Sequence, residues 1–527
     1  MKKLLAILHA AKAGWILSRE GVLKALPLEQ IKEIPAFIPF FAKILAKKNA
    51  KNSKRSENLA RAIHRLGPTY VKLAQFLATR PDLIGKELAQ ELSLLQDQAE
   101  QFSQIEAIAQ IENSLGKKID DTFLTLGPAI AAASMAQVHQ ATAKTKDGKI
   151  YKYAVKVIRP DIRKRFAKDF KNFYQIAAML EHYNPSLQRL KPVSVVQTLE
   201  KSTKTELDLR LEGAALSQMA ENTKNDEGFS VPKIDWERTG RDVLTMEWID
   251  GVKISDLETL KKNNIDLKDL AKRLVQSFLQ HSLRDGFFHA DMHPGNLLIT
   301  KNAEIVALDF GITGLLGQKE KYFLAQILYG FIKRDYDHIA AVHFQAGYVP
   351  DDQDVARFAQ ANRAIGEPIH GHNAQTISMA KLLGLLFEIT EIFNMQTRPE
   401  LILLQKTMVV VEGLARTLDP DFNMWKTAEP VVKNWLVKNA GIAAFSKDIK
   451  RNSQSFLQVF HQLPEIMHQQ HNILKQLEYQ SKYGWQINEK SLTSLTNKQP
   501  KGYLRTFLLA IIAACLIALT YKIYSGF

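Results

Sequence analysis

The stretch between residues 288 and 311 holds two carboxylates and one amide whose order and spacing suit phosphoryl transfer. Asn296 follows Asp291 by 5 residues, and Asp309 follows Asp291 by 18. Phosphoryl transfer needs hard oxygen ligands for Mg²⁺ and a group that orients the attacking oxygen. We therefore predict that Asn296 and Asp309 are metal ligands, and that Asp291 acts as the base or positions the attacking hydroxyl or water.

The elements around these residues decide between a catalytic and a purely structural interpretation. Asp309, Phe310 and Gly311 alone could simply end a strand in a turn. The apolar run at 305–308 predicts a buried strand that stops at Asp309. The upstream spacing matches the catalytic loop of protein kinases, although Ala290 stands where those enzymes have arginine. Because the two motifs occur together in the expected context, the catalytic interpretation is favoured.

A lysine upstream is the candidate anchor for the phosphates of a nucleotide. Residues 153–158 are apolar and rich in β-branched side chains, which predicts a strand that carries Lys156. Lys156 precedes Asp291 by 135 residues, which leaves room for the rest of a small lobe and part of a larger one. The alternative is an edge-strand lysine that only discourages aggregation.

The segment before this strand lies where a kinase has its glycine-rich loop, but residues 128–139 contain no glycine. Alanine permits a fairly close approach of the backbone, but its Cβ disfavours positive φ, so we expect a different loop geometry over the phosphates. Helix propensity alone would favour a helix here. The continuation through 137–141 into a turn at 146–149 indicates instead a hairpin that leads into the Lys156 strand.

Four features together resemble the ABC/aarF/UbiB family of atypical kinase-like proteins. They are the alanine-rich loop ending at 136–139, the strand at 154–160, the block at 289–296 and the run at 71–75. The run at 71–75 is similar to the family's Lys-x-Gly-Gln signature, with Ala74 in place of its glycine. Ala136 likewise stands where many relatives have glycine. The resemblance extends over roughly residues 60–440.

The resemblance implies an α+β, mostly helical, two-lobe fold of the protein kinase type, with a helical extension over the place where a protein substrate would dock. ATP and Mg²⁺ are the implied cofactors. The residues implied to bind the nucleotide are Lys156 and the loop Ile130, Ala131, Ala132, Ala133, Ser134, Met135, Ala136, Gln137 and Val138. The residues implied to be catalytic are Lys72, Gln75, Glu206 and Glu212, together with Lys156 and Asp291. Without the resemblance, Lys72 and Gln75 would be interpreted as part of a solvated helix face.

One predicted helix, over residues 195–222, carries the acidic residues Glu206, Asp208 and Glu212. By resemblance, Glu206 and Asp208 match the family's Glu-x-Asp signature, and Glu212 matches the glutamate that pairs with the strand lysine. Spacing alone cannot choose between them, although Asp208 and Glu212 would share one helical face and Glu206 would be rotated away. A solvated acidic face is the alternative interpretation.

The composition indicates a well-packed, mostly helical protein with an acidic partner. The chain has 527 residues, 46% of them hydrophobic, a net charge of +15 and a pI near 9.4. No signature for reading nucleic acid is present, so we expect no nucleic-acid partner. Anionic membrane lipid is the favoured partner, because residues 38–48 mix large apolar side chains with lysines as an interfacial segment would. That segment could equally be a helix that packs on the kinase-like body.

The C-terminal segment is the strongest membrane signal. Residues 507–521 are apolar apart from Thr520, lie between Arg505 and Lys522, and contain the only cysteine, Cys515. With their neighbours they approach the length that spans a bilayer, and the excess of basic residues before them places the body on the cytoplasmic side. We therefore predict a single-pass protein of the bacterial inner membrane. The alternatives are a hydrophobic hairpin or a buried terminal helix.

These observations predict an order of regions along the chain. They are a basic amphipathic segment (1–60), a helical extension with the Lys-x-x-Gln run (61–126), a small lobe (127–250), a large lobe (251–440), a helical tail (441–502) and a transmembrane anchor (503–527). The run at 244–250, which ends the small lobe, is similar to the hinge strand against which adenine would lie.

Two functions remain open on the sequence. The first, which the family resemblance implies, is a membrane-anchored kinase-like ATPase that supports ubiquinone biosynthesis and acts on or near lipid quinone precursors, with other biosynthetic proteins among its expected partners. The second is a pseudokinase scaffold that binds nucleotide and lipid without turnover. The presence of Lys156, Asp291, Asn296 and Asp309 together favours the first, because a scaffold has no chemical use for all four.

Overall fold

The structure is a computed structural model that describes residues 12–20, 22, 55–78, 84, 86–93, 100–183, 191–370, 385, 389, 392–395 and 398–440. The chain divides into two units, Met1–Asn439 and Ala440–Phe527. The helices and strands named below all begin within the first unit.

Helices make up most of the described chain, as predicted. In chain order they are α1 (Arg55–Leu66), α2 (Pro68–Ala78), α3 (Lys86–Ser93), α4 (Gln104–Leu115), α5 (Ile119–Thr122), α6 (Ile162–Tyr183), α7 (Pro192–Glu206), α8 (Leu209–Thr223), α9 (Leu257–Lys262), α10 (Leu267–Gln280), α11 (Gln318–Lys333), α12 (Tyr336–Gln345), α13 (Val355–His370), α14 (Pro399–Leu418) and α15 (Met424–Ala440).

The strands are short and lie between α5 and α11. They are β1 (Thr125–Ala132), β2 (Ala136–Lys144), β3 (Ile150–Ile158), β4 (Phe229–Ser230), β5 (Val243–Glu247), β6 (Val252–Lys253), β7 (Phe287–His289), β8 (Leu297–Ile299), β9 (Ile305–Ala307) and β10 (Thr313–Leu315). They form one sheet of order β1-β2-β3-β5, a second of order β4-β9-β8-β6 and a two-stranded pair of β10 with β7.

The small-lobe sheet confirms the hairpin predicted for the alanine-rich stretch. β2 and β3 pair in an antiparallel register in which Val138 lies opposite Lys156 and Lys144 lies opposite Ile150. Alternate residues of these strands, among them Ala141 and Val155, are buried against Ile111 of α4. Burial of one sheet face against a helix favours the strand and overrides the helix propensity of alanine.

The acidic segment forms two helices, so the single helix predicted over 195–222 is wrong. α7 ends at Glu206, and α8 begins at Leu209 with Asp208 as its N-cap, whose carboxylate accepts a hydrogen bond from Arg210 N at 3.2 Å. The guanidinium of Arg163 donates to the carbonyl of Leu207 within this break. An aspartate that caps a helix competes with helix continuation, and here the cap prevails.

The helical extension docks on α6 through three contacts of different kinds. Gly67 turns the chain between α1 and α2 with φ +102°, and the guanidinium of Arg165 occupies the space that a Cβ at this position would need. The hydroxyl of Thr69 donates to the carboxylate of Asp169. Tyr70 packs edge-to-face on Phe173 with ring centroids 5.2 Å apart. The extension is therefore tied to the small lobe along one side of α6.

An ionic cluster joins the end of α8 to the large lobe. Arg284 lies in a π-helical turn after α10 and donates to Asp226 Oδ1 at 2.6 Å and to the carbonyl of Asn222 at 3.0 Å. The buried ring of His281 lies 3.2 Å from the second oxygen of Asp226. Asp226 lies three residues after Thr223, the last residue of α8, so this cluster holds the chain at the C-terminal end of that helix.

Among the described residues, no helix is both long enough and apolar enough to cross a bilayer. The amphipathic segment at 38–48 and the anchor at 503–527 lie outside the described residues. Both stay predictions.

Candidate active site

Lys156 joins the two lobes at the centre of the candidate site. Its Nζ donates to Glu212 Oε1 on α8 at 2.8 Å and to Asp309 Oδ2 after β9 at 2.8 Å. The side chains of Lys156 and Glu212 are 15% and 6% exposed, whereas that of Asp309 is 44% exposed. An ammonium shared between a helix of the small lobe and a loop of the large lobe fits the expected phosphate anchor.

The three charges influence one another strongly. Burial alone would lower the pKa of Lys156, but Asp309 and Glu212 outweigh it, so the pKa of the ammonium lies above its ordinary value. Burial would raise the pKa of Asp309, but the adjacent Lys156 holds that pKa well below its usual range. Burial raises the pKa of Glu212 to about 7, although Lys156 opposes the shift. Glu212 is therefore the carboxylate of this group that first takes up a proton as the pH falls.

The loop after β7 fixes the main chain of Asp291 on both sides. The N–H of Asp291 donates to His289 Nδ1 at 3.0 Å, and its carbonyl accepts from the N–H of His293 at 2.7 Å. The carbonyl also accepts from Asn296 Nδ2 at 3.1 Å, and the amide oxygen Oδ1 takes no part in this hydrogen bond. The predicted base and the predicted metal ligand Asn296 are thus held by one tight loop.

His289 links this loop to Asp309, a role that the sequence reasoning missed. Its ring lies 4.6 Å from that of Phe310, which follows Asp309 directly. Burial lowers the pKa of His289 to about 4, so the ring is neutral and its Nδ1 can accept the bond from Asp291. The signal was present in the spacing, because a histidine two residues before the predicted base can fold back on that residue's N–H.

The donors of the predicted metal site suit a cation that binds together with a nucleotide. Among the described residues, no group of three or more histidine, cysteine, aspartate or glutamate side chains could hold a metal ion. Asp309 and Asn296 supply one carboxylate and one amide oxygen. Mg²⁺ is commonly held by one or two carboxylates together with phosphate oxygens and water, so these donors fit Mg²⁺ bound to a triphosphate.

The alanine-rich loop makes its turn without positive φ. No residue from 128 to 139 has positive φ, and the turn is closed by the N–H of Ala133, which donates to the carbonyl of Ala136 at 2.8 Å. The N–H of Arg159 donates to the carbonyl of Met135 at 2.8 Å. The guanidinium of Arg159 donates to the carbonyl of Ala133 at 3.2 Å. Alanine suffices here because the backbone needs no conformation reserved for glycine.

The side chains of the predicted nucleotide loop divide between the two faces of the sheet. Val138 lies opposite Lys156 and therefore shares its face, whereas Gln137 lies opposite Val157 on the other face. Gln137 Oε1 accepts from the N–H of Phe102 at 3.0 Å, and Gln137 is almost fully buried. Gln137 thus holds the loop to the segment before α4, and nucleotide binding by this loop stays a prediction.

The break between α7 and α8 gives each glutamate a different lysine. Glu206 pairs with Lys72 of α2, with side chains that are 16% and 12% exposed, while Glu212 pairs with Lys156. Gln75 lies three residues after Lys72, on the same side of α2. Spacing alone could not show which acidic residue pairs with Lys156. In the structure that residue is Glu212, as the family resemblance implied.

The strand predicted to form the hinge begins at Val243 and ends at Glu247, beside β3, with Leu244 opposite Lys156. The site combines two lobes with a lysine–glutamate pair that joins β3 to α8. It also brings the loop at 291–296 to Asp309. Together these features define an atypical kinase-like protein. This confirms the predicted α+β, mostly helical kinase-like fold.

Comparisons with known proteins agree with this class. The family model of the ABC1 atypical kinase-like domain matches residues 94–343, and that of the UbiB helical domain matches residues 362–423. The chain is 36% identical over 464 residues to the "Probable protein kinase UbiB" of Marinobacter nauticus, covering 87% of this chain and 84% of that protein. It is 38% identical over 449 residues to the protein of the same name from Histophilus somni, covering 84% and 82%. The chain belongs to the UbiB family.

A solved structure shares the fold. The Rv3197–erythromycin complex from Mycobacterium tuberculosis superposes with a TM-score of 0.50 over 71% of this chain and 97% of that chain, at 21% identity. At this identity the likeness concerns the fold alone.

Proposed function

We propose that this protein binds ATP with Mg²⁺ between its lobes and uses Asp291 to direct water or a small acceptor at the terminal phosphate. The observation that carries the proposal is the bridge from Lys156 to both Glu212 and Asp309, at 2.8 Å each. In protein kinases the strand lysine and its helix glutamate must pair before phosphoryl transfer proceeds. Asp309 and Asn296 would hold the Mg²⁺, which supplies neutralising charge to the phosphates.

The helical extension supports a small acceptor rather than a protein substrate. α2 is tied to α7 by the Lys72–Glu206 pair and to α6 by Thr69 and Tyr70. These contacts place a packed helix beside the helix pair that carries Glu206 and Glu212. A docking protein would have to displace it, whereas water or a small molecule would not. Hydrolysis of ATP is therefore the proposed output of the site.

The physiological setting that we propose is ubiquinone biosynthesis at the bacterial inner membrane. Membership of the UbiB family and the names of the bacterial relatives support it. The net charge of +15 supports an anionic lipid surface as partner, and a quinone precursor or another protein of the same biosynthesis is the proposed target. The body would lie on the cytoplasmic side of a single C-terminal anchor.

Two substitutions test the chemistry separately. Asp291→Asn keeps the size of the side chain and the main-chain hydrogen bonds of the loop but removes the charge, so we expect ATP turnover to be lost and nucleotide binding to be kept. Asp309→Asn removes the carboxylate beside Lys156, so we expect Mg²⁺-dependent nucleotide binding to be lost. Phosphate release and binding of a fluorescent ATP analogue measure the two effects. Glu237→Gln, at an exposed pair with Lys146, is the control and should change neither.

A nucleotide-binding scaffold without turnover is the second candidate. Ala290 in place of the usual kinase arginine and the extension packed beside the site favour it. Absence of ATP hydrolysis in the purified wild type, together with intact nucleotide binding, would reject the enzyme and leave the scaffold. Unchanged hydrolysis in Asp291→Asn would instead reject the role of Asp291.

A further inference from the structure

A hydroxyl from the C-terminal helical region reaches the loop that carries Asp291. Thr407 lies in the middle of α14, is fully buried, and its Oγ1 donates to the carbonyl of Ala290 at 3.0 Å. The same hydroxyl also donates to the carbonyl of Leu403 at 2.8 Å, one turn earlier in its own helix, so its one hydrogen is shared between two acceptors. The bond to Ala290 joins the residues matched by the UbiB helical domain to those matched by the ABC1 domain.

This bond and the bond from Asp291 to His289 hold one and the same peptide group. The carbonyl of Ala290 and the N–H of Asp291 belong to a single planar unit, and in a trans peptide they point to opposite sides. On one side the hydroxyl of Thr407 donates to the carbonyl of Ala290. On the other side the N–H of Asp291 donates to His289 Nδ1 at 3.0 Å. A plane held at both edges cannot rotate about its long axis. The direction in which the Asp291 side chain leaves the backbone depends on that plane and on the next one, whose carbonyl accepts from His293 and Asn296.

The Ala290 carbonyl depends on Thr407 more than the Leu403 carbonyl does. Leu403 lies inside α14, where its carbonyl also receives the N–H of the residue four positions later, as in any helix. Ala290 lies just past β7, and within the described residues its carbonyl receives no other hydrogen bond. Loss of the hydroxyl would leave a buried acceptor unpaired, which costs more than loss of a hydrogen bond at the surface.

We propose that Thr407 is a positioning residue for Asp291, through the peptide group between Ala290 and Asp291. Ala290 is 1% exposed and carries no polar side chain that could orient the loop. The anchor of this position is supplied instead by a helix of the region that the UbiB helical domain matches. This inference rests on the proposed role of Asp291 in ATP turnover.

Thr407→Val tests the inference, because valine keeps the shape of threonine and lacks the hydroxyl. We expect kcat for ATP hydrolysis to fall about tenfold, the equivalent of one hydrogen bond that matters only in turnover, with KM for ATP unchanged. Thr407→Ser restores the hydroxyl and should keep most of the activity. Thr417→Val is the matched control on the same helix, because that hydroxyl donates back to Gly413 at 2.9 Å on the exposed face.

A second measurement keeps the inference separate from the proposed function. Hydrogen exchange in peptides that cover residues 288–296 should be faster in Thr407→Val than in the wild type, and unchanged in Thr407→Ser and Thr417→Val. Unchanged kcat and unchanged exchange in Thr407→Val would overturn the inference, and so would equal losses in the valine and serine variants. Absence of Asp291-dependent turnover in the wild type would reject the proposed function instead, and the exchange rates would still decide whether Thr407 holds the peptide.

Discussion

At the scale of single residues, one ammonium group organises the site. Lys156 neutralises two carboxylates that come from different lobes, and the more buried of them, Glu212, has a pKa raised to about 7 by its burial. Without the lysine, two acidic side chains would face each other with no cation between them. Removal of one member of a buried ionic group is costly because the remaining charge stays desolvated.

Lys156→Met is therefore expected to lower the free energy of unfolding by about 3 kcal/mol, measured by denaturant unfolding at pH 8. Lys146→Met is the matched control, because Lys146 pairs with Glu237 in an exposed position and surface pairs contribute little. It should leave the unfolding midpoint unchanged. Equal effects of the two substitutions would contradict a special role for burial around Lys156.

The residue types of the site could be predicted from the sequence, but their partners could not. Asp291, Asn296 and Asp309 were identified because chemistry restricts both their types and their spacing. The pairing of Glu206 with Lys72 and of Glu212 with Lys156 depends on where a helix breaks, and that depends on a distant arginine, Arg163. The contact of Thr407 with Ala290 could not be predicted either, because 117 residues separate the two positions in the chain.

At the scale of elements, the sequence predicted the hairpin and missed the break between α7 and α8. The hairpin has local signals in its turn and in its alternating burial. The break is stabilised by the cap of Asp208 together with a hydrogen bond from the N–H of Leu209 to the carbonyl of Arg241 at 3.0 Å. A contact between residues 32 positions apart leaves no periodic trace in the sequence.

The same break allows α2 to be held by Glu206, so the pair with Lys72 should govern the local stability of the extension. Lys72→Met is expected to speed hydrogen exchange in residues 68–78, because the carboxylate of Glu206 would lose its partner on α2. The exchange of α8 should not change. Lys204→Met serves as the control, since Lys204 forms an exposed pair with Glu200 within α7. Unaltered exchange in α2 after the Lys72 substitution would show that Thr69 and Tyr70 hold the extension by themselves.

At the scale of the whole molecule, most of the described residues belong to the kinase-like body. The two segments predicted to contact a membrane, at 38–48 and 503–527, lie outside the described residues. The kinase-like fold class and the family were predictable because their motifs are spread over most of the chain. The prediction that the body is attached to a bilayer rests on the apolar run at 507–521 and on the net charge of +15.

Removal of residues 503–527 is expected to shift most of the protein from the membrane fraction to the soluble fraction of bacterial cells, because the apolar run would be lost. Immunoblotting after ultracentrifugation measures the distribution. Lys498→Ala, just upstream of the run, is a control that should leave the protein in membranes. Continued full association of the shortened protein would instead assign the anchoring to the N-terminal segment at 38–48.

The two ends of α8 are held by different parts of the molecule. Arg284 donates to the carbonyl of Asn222 near one end, and the N–H of Leu209 donates to the carbonyl of Arg241 at the other. Glu212 lies about 15 Å along the helix axis from Asn222 and within one turn of Leu209. Any displacement of α8 as a rigid unit that separated Glu212 from Lys156 would therefore have to break a bond at one of these ends.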